Sequence, residues 1–301
     1  MKLSRRHLLI AAAAVGLGGS VNAAADLVWT GTALGADAEI RIAGQDRKMA
    51  EALVRRALAE IERLERVFSL YRPESELSRL NRDGVLDHPS QDFRLLLERS
   101  LELHQLTEGA FNVAIQPAWQ SLARHFSVSQ SPPDRADLSK LLYVCDAGQV
   151  SVSASRIALR PGMALTFNGI AQGYITDAVA DLFRREGLGN MLIALGEIRA
   201  LPGRAWAVAV EGRAESLRLS DGAVAQSAGR GTPFTADGRW HHLIDPASGA
   251  SANAFAAVTV RAPTATLADA LSTAVFAAPA ERQQRIASRF AEVQVEREPV
   301  T

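Results

Sequence analysis

A carboxylate and a hydroxyl lie four residues apart in the segment LADALSTAVF (267–276). The apolar spacing predicts a helix here, so Asp269 and Thr273 would face the same side of it. Together they offer hard oxygen ligands, which suit Mg²⁺ or Ca²⁺ rather than zinc. The spacing alone leaves a second interpretation open, in which Asp269 lies near the helix start because the macrodipole favours a negative charge there.

Two adjacent histidines precede an aspartate and a proline-containing turn in GRWHHLIDPASG (238–249). Neighbouring side chains of an extended segment point to opposite faces, so only one of His241 and His242 can face a given site. A histidine is the natural proton acceptor near neutral pH. A structural or solvent-facing role for the pair stays open, and the two residues form no helical HExxH pattern, so they are weak support for zinc.

The segment FNGIAQGYITDAVADLF (167–183) combines a glycine-spaced turn with an amphipathic helix. This design seats anionic phosphates on a helix N-terminus, and Asn168, Gly169 and Gly173 would permit close backbone approach. The turn carries no lysine or arginine, so a counter-charge for phosphate would have to come from elsewhere. A tight strand-to-helix turn that needs glycine for its geometry is an equally good interpretation. A second small turn, AQSAGRG (225–231), could also approach a ligand, but it lacks the GxSxG pattern of serine hydrolases.

The elements that must position these residues are a mixture of strands and helices. Apolar residues at helical spacing predict helices at 47–68, about 91–107, 173–187, 265–277 and 280–290. Strand-like stretches are LVWTGTALGADAEIRIAG (27–44), RIALR, MLIALG, AWAVAVEG, AVAQSAG, RWHHLID and AAVTVRA. Residues 71–84 are polar, and Pro73 and Gly84 are residues that commonly interrupt regular structure. Residues 127–137 are expected to be a surface loop. This order favours an α+β fold over a regular βαβ repeat.

The bulk composition excludes several classes of protein. The 301 residues hold 33 basic and 33 acidic side chains, so no nucleic-acid partner and no polybasic membrane patch is indicated. Cys145 is the only cysteine, which excludes an internal disulfide framework and a cysteine-rich metal site. Its expected role is that of a buried small hydrophobe.

The first 25 residues are typical of a bacterial export signal. A basic start, MKLSRRHLLI, is followed by a weakly apolar run and by VNAAAD, with a small-x-small cleavage site near Ala23 or Ala25. Ser4, Arg5 and Arg6 fit the twin-arginine pattern SRRxxL, although an ordinary secretory signal remains an alternative. Either route places the protein in the periplasm. No cysteine follows the apolar run, so a lipoprotein is not expected, and the run is too short for a convincing membrane span.

Five ordered motifs resemble those of the ApbE family, the FAD:protein FMN transferases, across nearly the whole of residues 26–301. They are FSLYRPESELSRLNR (68–82), GAFNVAIQP (109–117), GMALTFNGIAQGY (162–174), HHLIDPASG (241–249) and DALSTAVF (269–276). The resemblance implies a single ApbE-like, T-fold-related domain with mixed or antiparallel sheets and packed helices. Together with the signal, it is similar to the exported NosX-like subgroup associated with nitrous-oxide reductase maturation.

The resemblance also implies a reaction and a site. FAD would be cleaved at its pyrophosphate, FMN esterified to a Thr or Ser of a periplasmic or membrane target protein, and AMP released, with Mg²⁺ required. Asp269 and Thr273 would hold the Mg²⁺ with the backbone carbonyl of Gly169, and His242 would be the base, with His241 as the weaker alternative. The expected FAD contacts are Tyr71, Asn81, Ala110, Phe111, Asn112, Gln172 and the turn from Ser227 to Gly229.

Three positions depart from the family pattern. Asn112 stands where the family has aspartate, Gln172 where it has lysine, and Thr166 where aspartate is frequent. Each change removes a charge but keeps a group that can hydrogen-bond. The sequence therefore leaves two alternatives beside transfer: an FAD-binding or flavin-delivery protein that forms no covalent product, and an exported FAD pyrophosphatase.

Overall fold

The computed structural model describes residues 26–300, so the expected export signal (1–25) and Thr301 lie outside the described residues. Eight α-helices occur in this part of the chain: α1 (Arg47–Phe68), α2 (Glu76–Asp83), α3 (Gln91–Leu106), α4 (Gln116–Val128), α5 (Arg135–Leu142), α6 (Ala171–Arg185), α7 (Ala265–Ala277) and α8 (Ala280–Ala287). The strands of the same part are β1 (Leu27–Ala33), β2 (Ala36–Ile42), β3 (Val85–Asp87), β4 (Ser151–Val152), β5 (Arg156–Ala158), β6 (Met191–Ala194), β7 (Ile198–Ala200), β8 (Trp206–Val208), β9 (Leu217–Leu219), β10 (Gly222–Ala228), β11 (Ala257–Ala262) and β12 (Gln294–Glu298). The described elements confirm a single α+β domain.

A seven-stranded sheet organises the described chain, in the order β1-β2-β6-β7-β10-β11-β12. Each of its recorded strand pairs is antiparallel, with Leu27 opposite Ile42 at one edge and Val260 opposite Val295 near the other. Two smaller antiparallel sheets, β3-β5-β4 and β8-β9, flank it. The expectation of antiparallel sheets is thereby confirmed.

Both faces of the central sheet are buried, because alternate residues of its strands point to opposite sides. On β6, Met191 and Ile193 join the main core beneath the helices, whereas Leu192 and Ala194 join a second cluster with the β8-β9 hairpin. Helix α7 packs on β10 and β11, α6 packs on α7, and α1 packs on α6. This stacking places the motif-bearing helices α6 and α7 in the interior.

Helix boundaries follow the local chemistry that the sequence shows. Helix α1 begins after Asp46, whose carboxylate accepts the N–H groups of Lys48 and Met49, and it buries one apolar face. Its bounds, and those of α7, match the predicted 47–68 and 265–277. No helix among residues 26–300 combines the length and apolar character that crossing a membrane requires.

Three local expectations need correction. RWHHLID is not a strand: its residues form only isolated bridges, Pro233 with His241 and Ile244 with Ser251, because side chains such as that of Ser251 take the backbone bonds. The polar segment 71–84 contains α2, which Ser75 caps by accepting the N–H of Ser78. The expected loop at 127–137 is shorter than predicted, since α4 runs to Val128 and α5 starts at Arg135.

Candidate active site

Two adjoining cavities open among the motif segments. The larger has a volume of about 350 Å³ and the smaller about 80 Å³. Trp119, Asn168 and His242 line both of them. The cavities therefore meet at an indole ring, an amide and an imidazole.

The larger cavity is mostly apolar with a polar margin. Its other lining residues are Leu34, Gly35, Glu65, Phe68, Ser69, Leu70, Tyr71, Arg72, Phe167, Ala171, Gln172, Ile175 and Thr232. Two of these residues, Phe68 and Phe167, pack edge-to-face with ring centroids 5.7 Å apart. An apolar cleft with a few convergent polar groups is the usual form of a site for a cofactor or small molecule.

The smaller cavity gathers residues from four of the five motifs. Beyond the three shared residues it is lined by Ala110, Phe111, Asn112, Val113, Ile115, Gln116, Thr166, Gly169, Leu243, Ile244, Pro246, Thr273 and Ala277. The structure thus brings Gly169, Thr273, His242 and the 110–112 turn to one place. The two cavities together unite segments that lie as far apart in the chain as Leu34 and Ala277.

Helix α7 carries the expected metal-binding oxygens in a buried setting. Asp269 is 0% exposed, and its Oδ2 accepts the N–H of Gly173 at 3.1 Å. Thr273 lies against Gly169, since a Cβ added to Gly169 would lie 2.9 Å from the Thr273 Oγ1. Any residue larger than glycine at 169 would therefore press on the hydroxyl that lines the cavity.

Two carboxylates form reciprocal hydrogen bonds between helices α6 and α7. Asp269 of α7 accepts an N–H in the first turn of α6, and Asp177 of α6 accepts the N–H groups of Ala265 and Thr266 at 2.9 and 2.8 Å. Each carboxylate meets the partially positive N-terminus of the other helix. Burial raises the pKa of Asp177 from its ordinary value, and these hydrogen bonds oppose that rise. These hydrogen bonds fix where the side-chain oxygens of Asp269 and Thr273 on α7 lie relative to α6.

Gly173 serves this helix crossing and not ligand approach. A Cβ at Gly173 would overlap the carbonyl oxygen of Ala265 in the first turn of α7. Gly169, in contrast, gives room to the Thr273 side chain. The two glycines of the FNGIAQGY turn thus have separate physical roles.

The donor set suits a hard divalent cation. A buried carboxylate, a threonine hydroxyl and a backbone carbonyl offer oxygen alone, which is the preference of Mg²⁺. Within residues 26–300 no group of three or more His, Cys, Asp or Glu side chains could hold a metal ion, so a zinc-type cluster is not found there. Ser227 extends the polar region, with its Oγ 2.9 Å from the Ser272 Oγ and 3.4 Å from the Thr273 Oγ1.

The two histidines point to different environments. His241 is buried, its Nε2 lies 2.9 Å from the carbonyl oxygen of Ala252, and its Nδ1 accepts the N–H of Leu243 at 3.2 Å. These bonds require a neutral ring with its proton on Nε2. Burial also holds the pKa of His241 below its usual value. His242 lines both cavities, so it is the histidine placed to meet a ligand.

Several residues that were expected to contact FAD instead contact other parts of the protein. Asn81 lines neither cavity, because its amide exchanges two hydrogen bonds with the backbone of Leu165, at 2.8 and 2.7 Å. Asn112 lines the smaller cavity, but it donates to the carbonyl of Cys145 and accepts the N–H of Ala114. Gly229 lies against the His241 ring, which a Cβ would strike.

The remaining unusual positions do line the cavities. Gln172 faces the larger cavity and covers Gly196, where a Cβ would overlap its amide. Thr166 lines the smaller cavity, and its Oγ1 accepts the N–H of Asn168 at 3.2 Å. The threonine therefore helps to shape the turn that carries Gly169. Tyr71 lines the larger cavity and is 55% exposed, at its mouth.

The structure adds residues that the sequence did not single out. Trp119 lies at the junction of the cavities, and Leu34, Glu65, Arg72 and Thr232 line the larger one. Among the described residues that line either cavity, Arg72 is the one lysine or arginine. Arg72 lies inside the first motif, so its position and charge could have identified it as a site residue from the sequence. Trp119 and Thr232 carry no comparable pattern.

Comparisons with known proteins show what the whole chain is similar to. The model of the ApbE family matches residues 34–295. A Haemophilus influenzae protein named FAD:protein FMN transferase is 27% identical over 245 residues, covering 73% of this chain and 71% of the relative. A Treponema pallidum protein of the same name is 29% identical over 285 residues, covering 81% and 77%. The solved flavin transferase ApbE from Vibrio cholerae superposes with a TM-score of 0.78 at 24% identity, covering 93% of this chain and 94% of that one.

Proposed function

Since the chain belongs to the ApbE family, whose model matches most of its length, we propose that it is an FAD:protein FMN transferase. The observation that carries this proposal is the junction of the two cavities. An apolar cavity large enough for a ring system meets a smaller cavity that Thr273 and His242 line, and Asp269 is buried one helical turn before Thr273 on the same helix. A dinucleotide needs this combination, with rings and diphosphate held in adjoining places.

The reaction exchanges the phosphoanhydride bond of FAD for a phosphoester bond to the target protein. The bond between the FMN phosphorus and the oxygen that bridges the two phosphates of FAD breaks, and the FMN phosphorus forms a bond to the hydroxyl oxygen of a Thr or Ser of the target protein. AMP leaves with the bridging oxygen, and the hydroxyl proton passes to a base. Phosphoryl transfer of this kind depends mostly on positioning and on stabilisation of negative charge.

The residues of the junction divide these tasks. His242 is the proposed base, because it lines both cavities, and a histidine accepts a proton near neutral pH. Asp269, Thr273 and the carbonyl of Gly169 are the proposed protein ligands of Mg²⁺. When bound, the cation would neutralise negative charge on the diphosphate. The apolar cavity, with Tyr71 and Gln172 on its margin, holds a ring of FAD and keeps water from it.

The wider setting follows from the N-terminal sequence. A twin-arginine-like signal supports export to the periplasm, and an acceptor there would be a periplasmic or membrane protein that bears the flavinylated Thr or Ser. A protein of electron transfer or of nitrous-oxide reductase maturation is the proposed class of partner. The balanced charge of the chain gives no support to a nucleic-acid partner.

A product assay separates this function from its two rivals. The purified chain without residues 1–25 is incubated with FAD, MgCl₂ and a domain carrying an acceptor threonine, beside the same domain with that threonine changed to alanine. Transfer predicts AMP together with an acceptor heavier by one FMN, only for the threonine form. AMP and free FMN with an unmodified acceptor indicate a pyrophosphatase. Intact FAD that stays bound indicates a binding or delivery protein.

A further inference from the structure

Trp240 joins the two arms of the loop that carries His242, residues 232–242. The Trp240 carbonyl accepts the Thr235 N–H at 3.2 Å, and the Trp240 N–H donates to the Thr235 Oγ1 at 3.2 Å. The His242 N–H closes the loop by donating to the Thr232 carbonyl at 3.1 Å. Thr232 and His242 both line the larger cavity, so the 232–242 loop presents both of its ends to the candidate active site.

Aromatic rings attach the 232–242 loop to α4. Trp240 and Phe234 both pack on the Phe126 ring, with centroids 5.2 and 6.1 Å from it. The Phe234 N–H also donates to the Trp240 carbonyl at 2.6 Å, so rings and backbone together hold the two arms. The three rings belong to an apolar cluster that is separate from the main core. Loss of one ring should therefore loosen the loop and leave the central sheet and its helices in place.

His242 lies between this anchor on α4 and a second anchor in the core. Leu243, the next residue, is buried, and its carbonyl accepts the Ala252 N–H at 3.0 Å. On the other side, Trp240 packs on Phe126, and neither of these residues lines a cavity. Their rings can therefore act on a ligand only through the residues that they hold. Since rate depends steeply on the placement of reacting groups, a loosened anchor should lower the rate of transfer more than the affinity for FAD.

We propose that Trp240, packed on Phe126, is a positioning residue that holds His242 at the junction of the two cavities. The inference rests on the proposed function, because it takes His242 as the base of FMN transfer. The effect of Trp240 on the reaction passes through the imidazole of His242 and not through a contact with FAD. Loss of the Trp240 ring should therefore matter only while His242 is present.

The test is a cycle of the variants Trp240→Leu, His242→Ala and the two changes combined. Single-turnover rates of FMN transfer to an acceptor threonine are measured at saturating FAD and acceptor, and FAD affinity is measured on the same samples. Trp240→Leu alone should lower the rate about ten- to a hundredfold, with a dissociation constant for FAD close to that of the wild type. In the His242→Ala background the same change should lower the rate less than about twofold, because the group that Trp240 positions is gone.

Three further variants separate positioning from stability. Trp240→Phe keeps an aromatic ring beside Phe126 and should restore most of the rate. Phe126→Leu removes the same ring contact from α4 and should give the same result in the cycle, so it takes the place of Trp240→Leu if that variant does not fold. Trp206→Leu is the matched control, because Trp206 is buried in the cluster of the β8–β9 hairpin and lines neither cavity. It should lower Tm and leave the transfer rate of the folded protein unchanged.

The outcomes distinguish a failed inference from a failed function. Equal losses caused by Trp240→Leu with and without His242 would overturn the inference while the proposed function stands. A wild-type rate in Trp240→Leu would overturn it as well. A wild-type protein that binds FAD but transfers no FMN would instead refute the proposed function, and the inference with it.

Discussion

At the scale of single residues, two neighbouring histidines have different roles because adjacent side chains of an extended segment point to opposite sides. His241 holds the Ala252 carbonyl and the Leu243 N–H inside the core, whereas His242 lines both cavities. The alternation of side chains in an extended segment predicts this division, but not which histidine turns inward. The answer depends on Ala252 and Ser251, which lie about ten residues further along the chain.

The variant His242→Ala should block transfer and leave FAD binding largely intact. Loss of a general base typically costs a factor of about 10² to 10⁴ in rate. The measurement is FMN transfer to an acceptor threonine, paired with FAD titration of the same sample. Tyr143→Ala, at an exposed residue outside both cavities, is the control and should remain fully active. Full activity of His242→Ala would remove this residue from the mechanism.

The variant His241→Gln should change the dependence of stability on pH and not the chemistry. Burial keeps the pKa of His241 below its usual value, so the unfolded chain takes up the proton first as the pH falls through about 6.5. The stability contributed by neutral His241 is present above that pH and is lost as the pH falls towards the folded-state pKa. Between about pH 7 and pH 5.5, Tm should therefore fall more in the wild type than in His241→Gln.

The exposed His88 supplies the comparison for that measurement. His88→Gln should retain the wild-type decrease of Tm with acid. Equal decreases in His241→Gln and in the wild type would show that the buried ring does not contribute.

The variant Asp269→Asn tests the proposed cation site. The amide keeps an acceptor for the Gly173 N–H but removes the charge, so the fold should persist while binding of a divalent cation weakens. Transfer should fall by about a hundredfold or more, since a bound cation supplies several kcal/mol of charge stabilisation. Binding of Mn²⁺, followed by electron paramagnetic resonance, provides a readout that does not depend on activity.

An exposed carboxylate of α6 is the matched control for the charge change. Asp181→Asn should leave both Mn²⁺ affinity and transfer unchanged. Wild-type Mn²⁺ affinity in Asp269→Asn would refute the metal assignment without affecting the assignment of His242.

At the scale of elements, the crossing of α6 and α7 decides where the side-chain oxygens of Asp269 and Thr273 lie. Asp177 binds the first turn of α7, Asp269 binds the first turn of α6, and Gly173 allows the two backbones to approach. These contacts join residues 88 to 96 positions apart in the sequence. A small displacement of α7 would move Thr273 relative to Gly169, and misplacement of this kind has a large effect on rate.

The variant Gly173→Ala should therefore weaken both the fold and the site. Its Cβ would overlap the Ala265 carbonyl, and forced overpacking of this kind costs about 1 to 3 kcal/mol of unfolding free energy. Denaturant titration measures the loss. Gly31→Ala is the control, because the atoms nearest its Cβ belong to the Trp29 side chain, which can move. Equal unfolding free energies for Gly173→Ala and the wild type would contradict the role of Gly173 in the crossing.

Local pattern predicts the elements of this chain better than it predicts their contacts. The bounds of α1 and α7 follow from apolar residues at helical spacing, and both match the structure. The glycine at 173 and the aspartate at 177 carry no local sign that their partner is another helix. RWHHLID has the composition of a strand, yet Ser251 and Asp245 direct its backbone into isolated bridges and a turn. Such side-chain bonds override a weak preference for strand.

At the scale of the whole molecule, the site is assembled from the full length of the domain. The seven-stranded sheet supports α6 and α7 from one side, and segments from 34 to 277 reach the two cavities. The cavity-lining residues that could be predicted were those inside recognisable motifs, including His242 and Thr273. Leu34 and Trp119 could not be predicted, since they reach the cavities only when the β1–β2 turn and α4 are folded against the motif segments.

Family membership and geometry lead to one central claim, that the chain moves FMN from FAD to a protein. The Vibrio cholerae relative, described as a flavin transferase, supplies the positive control for an acceptor. A domain that this relative modifies can be offered to both proteins under the same conditions. Any difference between them would then be a property of the transferases and not of the acceptor.

The most direct test is the intact mass of that acceptor after incubation with the present protein, FAD and MgCl₂. We predict a mass increase of one FMN, an equal amount of AMP, and loss of both in EDTA or with the acceptor threonine changed to alanine. An acceptor of unchanged mass, beside one fully modified by the Vibrio cholerae enzyme, would contradict the proposal that this protein is an FMN transferase.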